Sequence, residues 1–315
     1  QALPEPMRPR GLPRGGSFTF LPLASFANSA GELFGVGLLN LFMIHGWVPL
    51  QSVYFSFNAV AWSISTEFFF YLCFPILIQN WERTWALKLL LTFAVLSSAV
   101  LWANWMQLPG YSGEGKGLTT HGLLYISPVA RLFEFVLGMS SIQLWRRLQR
   151  FQKGKPLFAT SLEIAVLILT IAWLLKQPVI IAIGSIVGRS GRDYFVHCGS
   201  AFAFALLIPV MAMERGFISK ILSARAFVLL GEISFSIYLL HQVILRCIGS
   251  RFPLILSNLS PMGLSSLWVA IILIAYFVWR YIEIPCRNFL LRKWDGKKIE
   301  NSQLSSGDEP LKTAA

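Results

Sequence analysis

Runs of about 20 apolar residues recur along this chain, and a backbone in hydrocarbon finds no water to bond, so each run must satisfy its own N–H and C=O groups as helix. Windows of that length give about eight spans, at 31–47, 59–79, 85–107, 123–145, 158–175, 195–213, 226–248 and 264–283. The run at 179–188 is too short to cross and reads as re-entrant or interfacial. The expected fold class is therefore all-α, a polytopic transmembrane helix bundle. Only 13% of residues are charged and mean hydropathy is +0.60, whereas soluble domains carry about 25% charged residues.

A net charge of +12 and a pI of 9.8 raise the question of nucleic acid, but the distribution of the basic residues excludes that class. Arg146, Arg147, Arg150, Lys153 and Lys155 follow the fourth span; Arg215, Lys220 and Arg225 follow the sixth; Arg287, Arg292, Lys293, Lys297 and Lys298 follow the eighth. These positions alternate with the spans, as the positive-inside rule requires. With Arg8, Arg10 and Arg14 they put both termini on the cytoplasmic side, in a protein expected to be integral to the plasma (inner) membrane. Residues 1–17 form an irregular basic leader without the apolar core of a signal peptide, 18–291 the membrane domain and 292–315 a polar tail expected to be a disordered cytoplasmic segment. The chain opens on Gln1, so it reads as a fragment or a misplaced start.

The four cysteines, Cys73, Cys198, Cys247 and Cys286, show no CxxC spacing, and His197 lacks ligand spacing to another histidine, so no metal site is indicated. Asp193, Asp295 and Asp308 all lie outside the expected spans, which argues against carriers built on an intramembrane aspartate and against a His-x-x-x-x-Asp acyltransferase motif. His45 and His121 fall beside Trp- and Gly-containing boundaries and read as interfacial.

Charged groups inside spans are costly and mark function. Glu67 sits within the second span, with Ser63 four residues before it and Tyr71 four after, so helical spacing stacks a hydroxyl, a carboxyl and a phenol on one face. Arg131 and Glu134 share a face of the fourth span; they either neutralise each other or hold substrate. Arg280 and Glu283 repeat that spacing at a helix end, where snorkelling favours simple pairing. In the seventh span Ser234, Tyr238 and His241 line one stripe, and Glu232 with Ser236 form a second. His241 there is either a packing residue or a catalyst.

Four segments, Asn58–Pro75 with Trp62, Ser63, Ser65, Glu67 and Tyr71, then Pro128–Gly138, Gly231–His241 and Arg280–Arg287, occur in an order that resembles the acyltransferase family 3 membrane proteins. The resemblance implies transfer of an acetyl or short acyl group from acyl-CoA, used as a donor substrate with no bound cofactor, to a hydroxyl of a sugar, polysaccharide or glycolipid. Its partners would be membrane lipid, the carbohydrate or glycolipid acceptor and acyl-CoA, with no nucleic acid. Family members usually begin with a helix bearing an Arg and, about ten residues later, the His taken as general base; nothing before Phe18 matches it, so no such His is carried over. Glu67 and His241 are then the catalytic candidates, with Trp62, Ser63, Ser65, Tyr71, Arg131, Glu134, Ser234 and Tyr238 as binding candidates. Glu67 is expected to face a polar cavity inside the bundle, with Arg131 approaching it. A solute or proton transporter is the reading from another class, since buried Glu, Arg and His also make a relay; an inactive acyltransferase remnant is a third.

Overall fold

The computed structural model describes residues 30–110, 117–151, 156–175, 177–252 and 259–293. The irregular leader and the tail beyond Lys293 lie outside them. The described residues are helical without strands, as the apolar windows require. In chain order the helices are α1 (Ala30–Leu41), α2 (Gln51–Tyr54), α3 (Trp62–Leu77), α4 (Trp81–Trp105), α5 (Pro128–Phe151), α6 (Pro156–Leu175), α7 (Gln177–Val187), α8 (Arg189–Cys198), α9 (Ser200–Met211), α10 (Phe217–Leu222), α11 (Arg225–Arg251) and α12 (Pro261–Val278). A π-helical turn at His121–Ile126 precedes α5, and another, Trp279–Glu283, carries α12 on toward Lys293.

Five helices among the described residues are long and apolar enough to cross a membrane, not about eight: Trp81–Trp105, Pro156–Leu175, Arg189–Met211, Arg225–Arg251 and Pro261–Lys293. The other three expected spans differ for two reasons. Helix α1 has 12 residues and α3 has 16, about 18 and 24 Å at 1.5 Å per residue against a hydrocarbon core of about 30 Å. Helix α5 has the length, 24 residues, but Arg131, Glu134, Arg146, Arg147 and Arg150 lower its hydropathy. The 179–188 run forms the short α7, which ends at Val187, just before Gly188.

Helix α5 is the central post: it packs against α3, α4 and α9, while α9 also meets α6, and α11 pairs with α12. The main core joins Leu96 and Val100 of α4, Leu124, Ala130 and Phe133 around the start of α5, and Tyr194 and Cys198 of α8. Outward side chains such as Leu90, Leu101, Ile168 and Leu273 are exposed and apolar, the surface that lipid covers.

Polar side chains pin the joints. Gly188 has φ +87°, and a Cβ there would run into Asn104. Asn104 donates to the Val187 carbonyl at 3.0 Å and accepts from Ser190 N at 2.9 Å, so the end of α4 ties off α7 and satisfies a free N–H at the start of α8. Glu163, 1% exposed, reaches from α6 to accept backbone N–H bonds from Gly216 (3.1 Å), Ile218 (2.9 Å) and Ser219 (3.3 Å) at the head of α10. Ser260 caps α12 by accepting from Gly263 N at 3.1 Å, with Pro261 in the first turn.

Candidate functional site

The Asn58–Pro75 segment begins as a loop strapped to α11. Asn58 donates to the Leu239 carbonyl (3.0 Å), Tyr238 to that of Val60 (3.2 Å) and Arg246 to that of Phe57 (2.9 Å). Tyr238, expected to bind substrate, therefore joins two parts of the fold. At the head of α3, Trp62 is buried with its ring 4.8 Å from Tyr125. Ser65 is fully buried and accepts from Gly46 N at 3.2 Å, and Ser63 turns back to donate to the Val60 carbonyl at 2.9 Å.

Glu67 differs from the expectation. It lies on an exposed face of α3 and accepts a hydrogen bond from the Tyr71 hydroxyl. Among the described residues Arg131 does not pair with it: the guanidinium bridges to Glu134 at 2.6 Å, one turn away on its own helix. An i,i+3 partner is always at hand, whereas reaching α3 would leave Glu134 buried and uncompensated. Pro75 lacks an N–H, so the Tyr71 carbonyl above it loses its helical donor beside the Glu67–Tyr71 pair.

Arg131 also donates to Cys198 Sγ at 3.0 Å and lies 5.4 Å above the Tyr125 ring, while Tyr194 donates to Glu134 at 3.4 Å. One ion pair thus locks α5 to α8 and to the π-helical turn. That turn also carries His121, whose ring centroid is 5.1 Å from His197 and 4.8 Å from Tyr125. Burial first, and the neighbouring His197 second, push the His121 imidazole down to about 4.

On α11, Ser236 donates to Glu283 of the second π-helical turn at 2.9 Å, so α11 holds Glu283, and among the described residues Arg280 forms no ion pair with it. Ser234 is exposed and donates to the Gly231 carbonyl at 2.7 Å. The half-buried His241 bonds the Ile237 carbonyl through Nδ1 at 3.2 Å and stacks 6.3 Å from Trp268. His45, expected at an interface, is instead buried, 2% exposed.

At the opposite end of α5, Arg146 pairs with Glu82 at the start of α4. They line an open groove of about 760 Å³ with Phe74, Trp81, Arg83 and Ile142. Sequence reasoning missed the His121–His197 contact, the Glu163 clamp and this groove, since each joins segments far apart in the chain; only Arg131–Glu134 and Glu67–Tyr71 lay within one helical turn.

The chain belongs to the acyltransferase family 3, whose model, described as an acyltransferase domain, matches residues 16–280. It is similar to the acyltransferase MdmB of Streptomyces mycarofaciens, 25% identical over 268 residues, which cover 81% of this chain and 64% of the relative's length. No solved structure matches.

Proposed function

We propose that this chain forms the membrane core of an O-acyltransferase that moves an acetyl or other short acyl group from acyl-CoA to a hydroxyl of a sugar, polysaccharide or glycolipid. The observation that carries the reading is the polarity of α5. One end holds the groove with Arg83 and Arg146, the other the Arg131–Glu134 pair and its histidine neighbours. Fifteen residues of helix separate Arg131 from Arg146, about 22 Å. A donor whose phosphates sit at the basic end would carry its thioester inward on the extended pantetheine arm, toward an acceptor entering from the other side.

In this reading the arginines of the groove receive phosphates, with Arg as a planar multi-donor group. Glu67 and Tyr71 orient the acceptor hydroxyl, and Trp62 and Ser65 hold α3 in register. Acyl transfer also needs a base for the hydroxyl proton. The experiment is incubation of membranes holding the full-length protein with radiolabelled acetyl-CoA, followed by counting label in envelope glycans. Incorporation above that of membranes without the protein is expected; none would overturn the reading.

A further inference from the structure

The groove at the basic end of α5 holds an anion of its own. Two side chains one turn apart on α5 converge on a single carboxylate: Arg146 pairs with Glu82 of α4, and Gln143 Nε2 donates to the same group at 3.3 Å. Arg83, the next residue along α4, lines the groove and forms no ion pair among the described residues. Phe74, Ile78, Met139 and Ile142 wall the rest with apolar surface. The Glu82–Arg146 pair adds little to the joining of α4 and α5. Core contacts do that work, with Phe93 on Phe133 at 5.4 Å and Leu96 and Val100 behind them. The two side chains of the pair are 60% and 45% exposed, where an ion pair contributes least.

A carboxylate held by converging donors marks a place that fits an oxyanion, and a weak pair is one that a better anion can replace. Glu82 carries one negative charge. Each phosphoryl of a diphosphate bridge also carries one and has no advantage over it, whereas a terminal phosphomonoester carries about −1.5 to −2 at pH 7 and offers three acceptor oxygens. Acyl-CoA bears one such group, the 3′-phosphate of its ribose. We propose that Glu82 is an internal counter-ion of the donor site, holding Arg146 until the 3′-phosphate of CoA displaces it, an inference that rests on the acyltransferase reading above. Glu82 is thus a positioning residue: it occupies Arg146 in the empty groove, sets the donor's affinity by competition, and takes Arg146 back as spent CoA leaves.

The test is calorimetric titration of the full-length protein in detergent with CoA and with 3′-dephospho-CoA, for wild type, Glu82→Gln and Arg146→Gln. Gln keeps the volume of Glu82 and can still accept from Arg146, so only the competing charge is removed. Glu82→Gln should bind CoA about fivefold tighter, the size of one charge repulsion at about 4 Å in water, and 3′-dephospho-CoA as the wild type does; Arg146→Gln should weaken CoA alone. A carboxylate that merely braces α4 against α5 produces no gain, and its loss would act on both ligands alike. Equal CoA affinity in wild type and Glu82→Gln overturns the proposal, as does a gain for 3′-dephospho-CoA as large as that for CoA. Dioctanoyl phosphatidic acid, a lipid phosphomonoester, is the further probe: if it binds more tightly to Glu82→Gln while CoA does not, the groove answers to a lipid headgroup and the proposal falls. Wild-type protein that binds no CoA and transfers no acetyl group in membranes takes down the donor reading and the counter-ion together, whereas transfer with a Kd for CoA that Glu82→Gln leaves unchanged removes the counter-ion alone.

Discussion

Glu67 and His121 show how differently two polar residues near a membrane are held. The Glu67 carboxyl has one bond from its own helix, the Tyr71 hydroxyl, on an exposed face. Gln keeps the side-chain volume and can still accept from Tyr71, so Glu67→Gln separates charge from shape. If the carboxylate orients the acceptor or a protonated base, the full-length enzyme should lose about 10²–10⁴ in transfer rate at equal membrane level; near wild-type incorporation would remove Glu67 from the mechanism. His121 offers a test in pH. Its folded value is about 4 against 6.5 for a free imidazole, so as pH falls below 6.5 the unfolded chain takes up a proton that the folded one refuses. Its contribution to stability is thus full above 6.5 and is lost progressively toward 4. The melting temperature in detergent should drop between pH 7 and pH 5, and less steeply for His121→Gln; equal slopes would contradict the assignment. At this scale the sequence made legible only partners within a turn. The His121–His197 contact and the turning of Glu67 outward depend on which helices become neighbours, and spacing along one helix carries no such information.

Elements here are joined by side chains that finish the backbone hydrogen bonding of another helix. Glu163 does this for α10, three N–H groups converging on one carboxyl, and Gly216 leaves the room, because a Cβ there would overlap the Glu163 carboxyl. Glu163→Ala strands those donors and should cost about 1–3 kcal/mol, the penalty for buried polar groups left unsatisfied. Gly216→Ala should destabilise as well, but less in the Glu163→Ala background, where the clash is gone. Thermal unfolding of the two single variants and the double variant gives the coupling; strictly additive losses would mean that the two residues act separately. Helix existence was readable from apolar periodicity, and α4, α6, α11 and α12 fall close to the expected spans. Helix length was not, since α1 and α3 stop short and the charges of α5 interrupt an otherwise crossing helix. The Glu163 clamp was invisible because a lone Glu in an apolar run looks the same whether it caps a distant helix or lines a path.

At the scale of the whole molecule, the basic helix ends lie together by direct contact. Arg146 of α5 pairs with Glu82 at the start of α4, Arg215 donates to the Gln149 carbonyl at 3.4 Å, and Trp145 to that of Ala212 at 3.4 Å. Antiparallel pairing of α11 with α12, with Ser236 on Glu283, brings the Arg287–Lys293 stretch back toward the end where α11 begins. One face of the bundle is therefore strongly basic, and the positive-inside rule predicts that such a face lies in the cytoplasm. The orientation bears on the proposed mechanism: acyl-CoA is a cytoplasmic metabolite, so the donor groove proposed between Arg83 and Arg146 works only if that face is the inner one. Arg147→Cys at the basic end and Ser260→Cys at the opposite end, both exposed positions, report on it when each is compared with the unsubstituted protein. A membrane-impermeant maleimide should label Ser260→Cys in intact cells and Arg147→Cys only after permeabilisation. The reverse pattern would place the groove outside, out of reach of acyl-CoA, and would leave the basic residues to be explained by something other than topology.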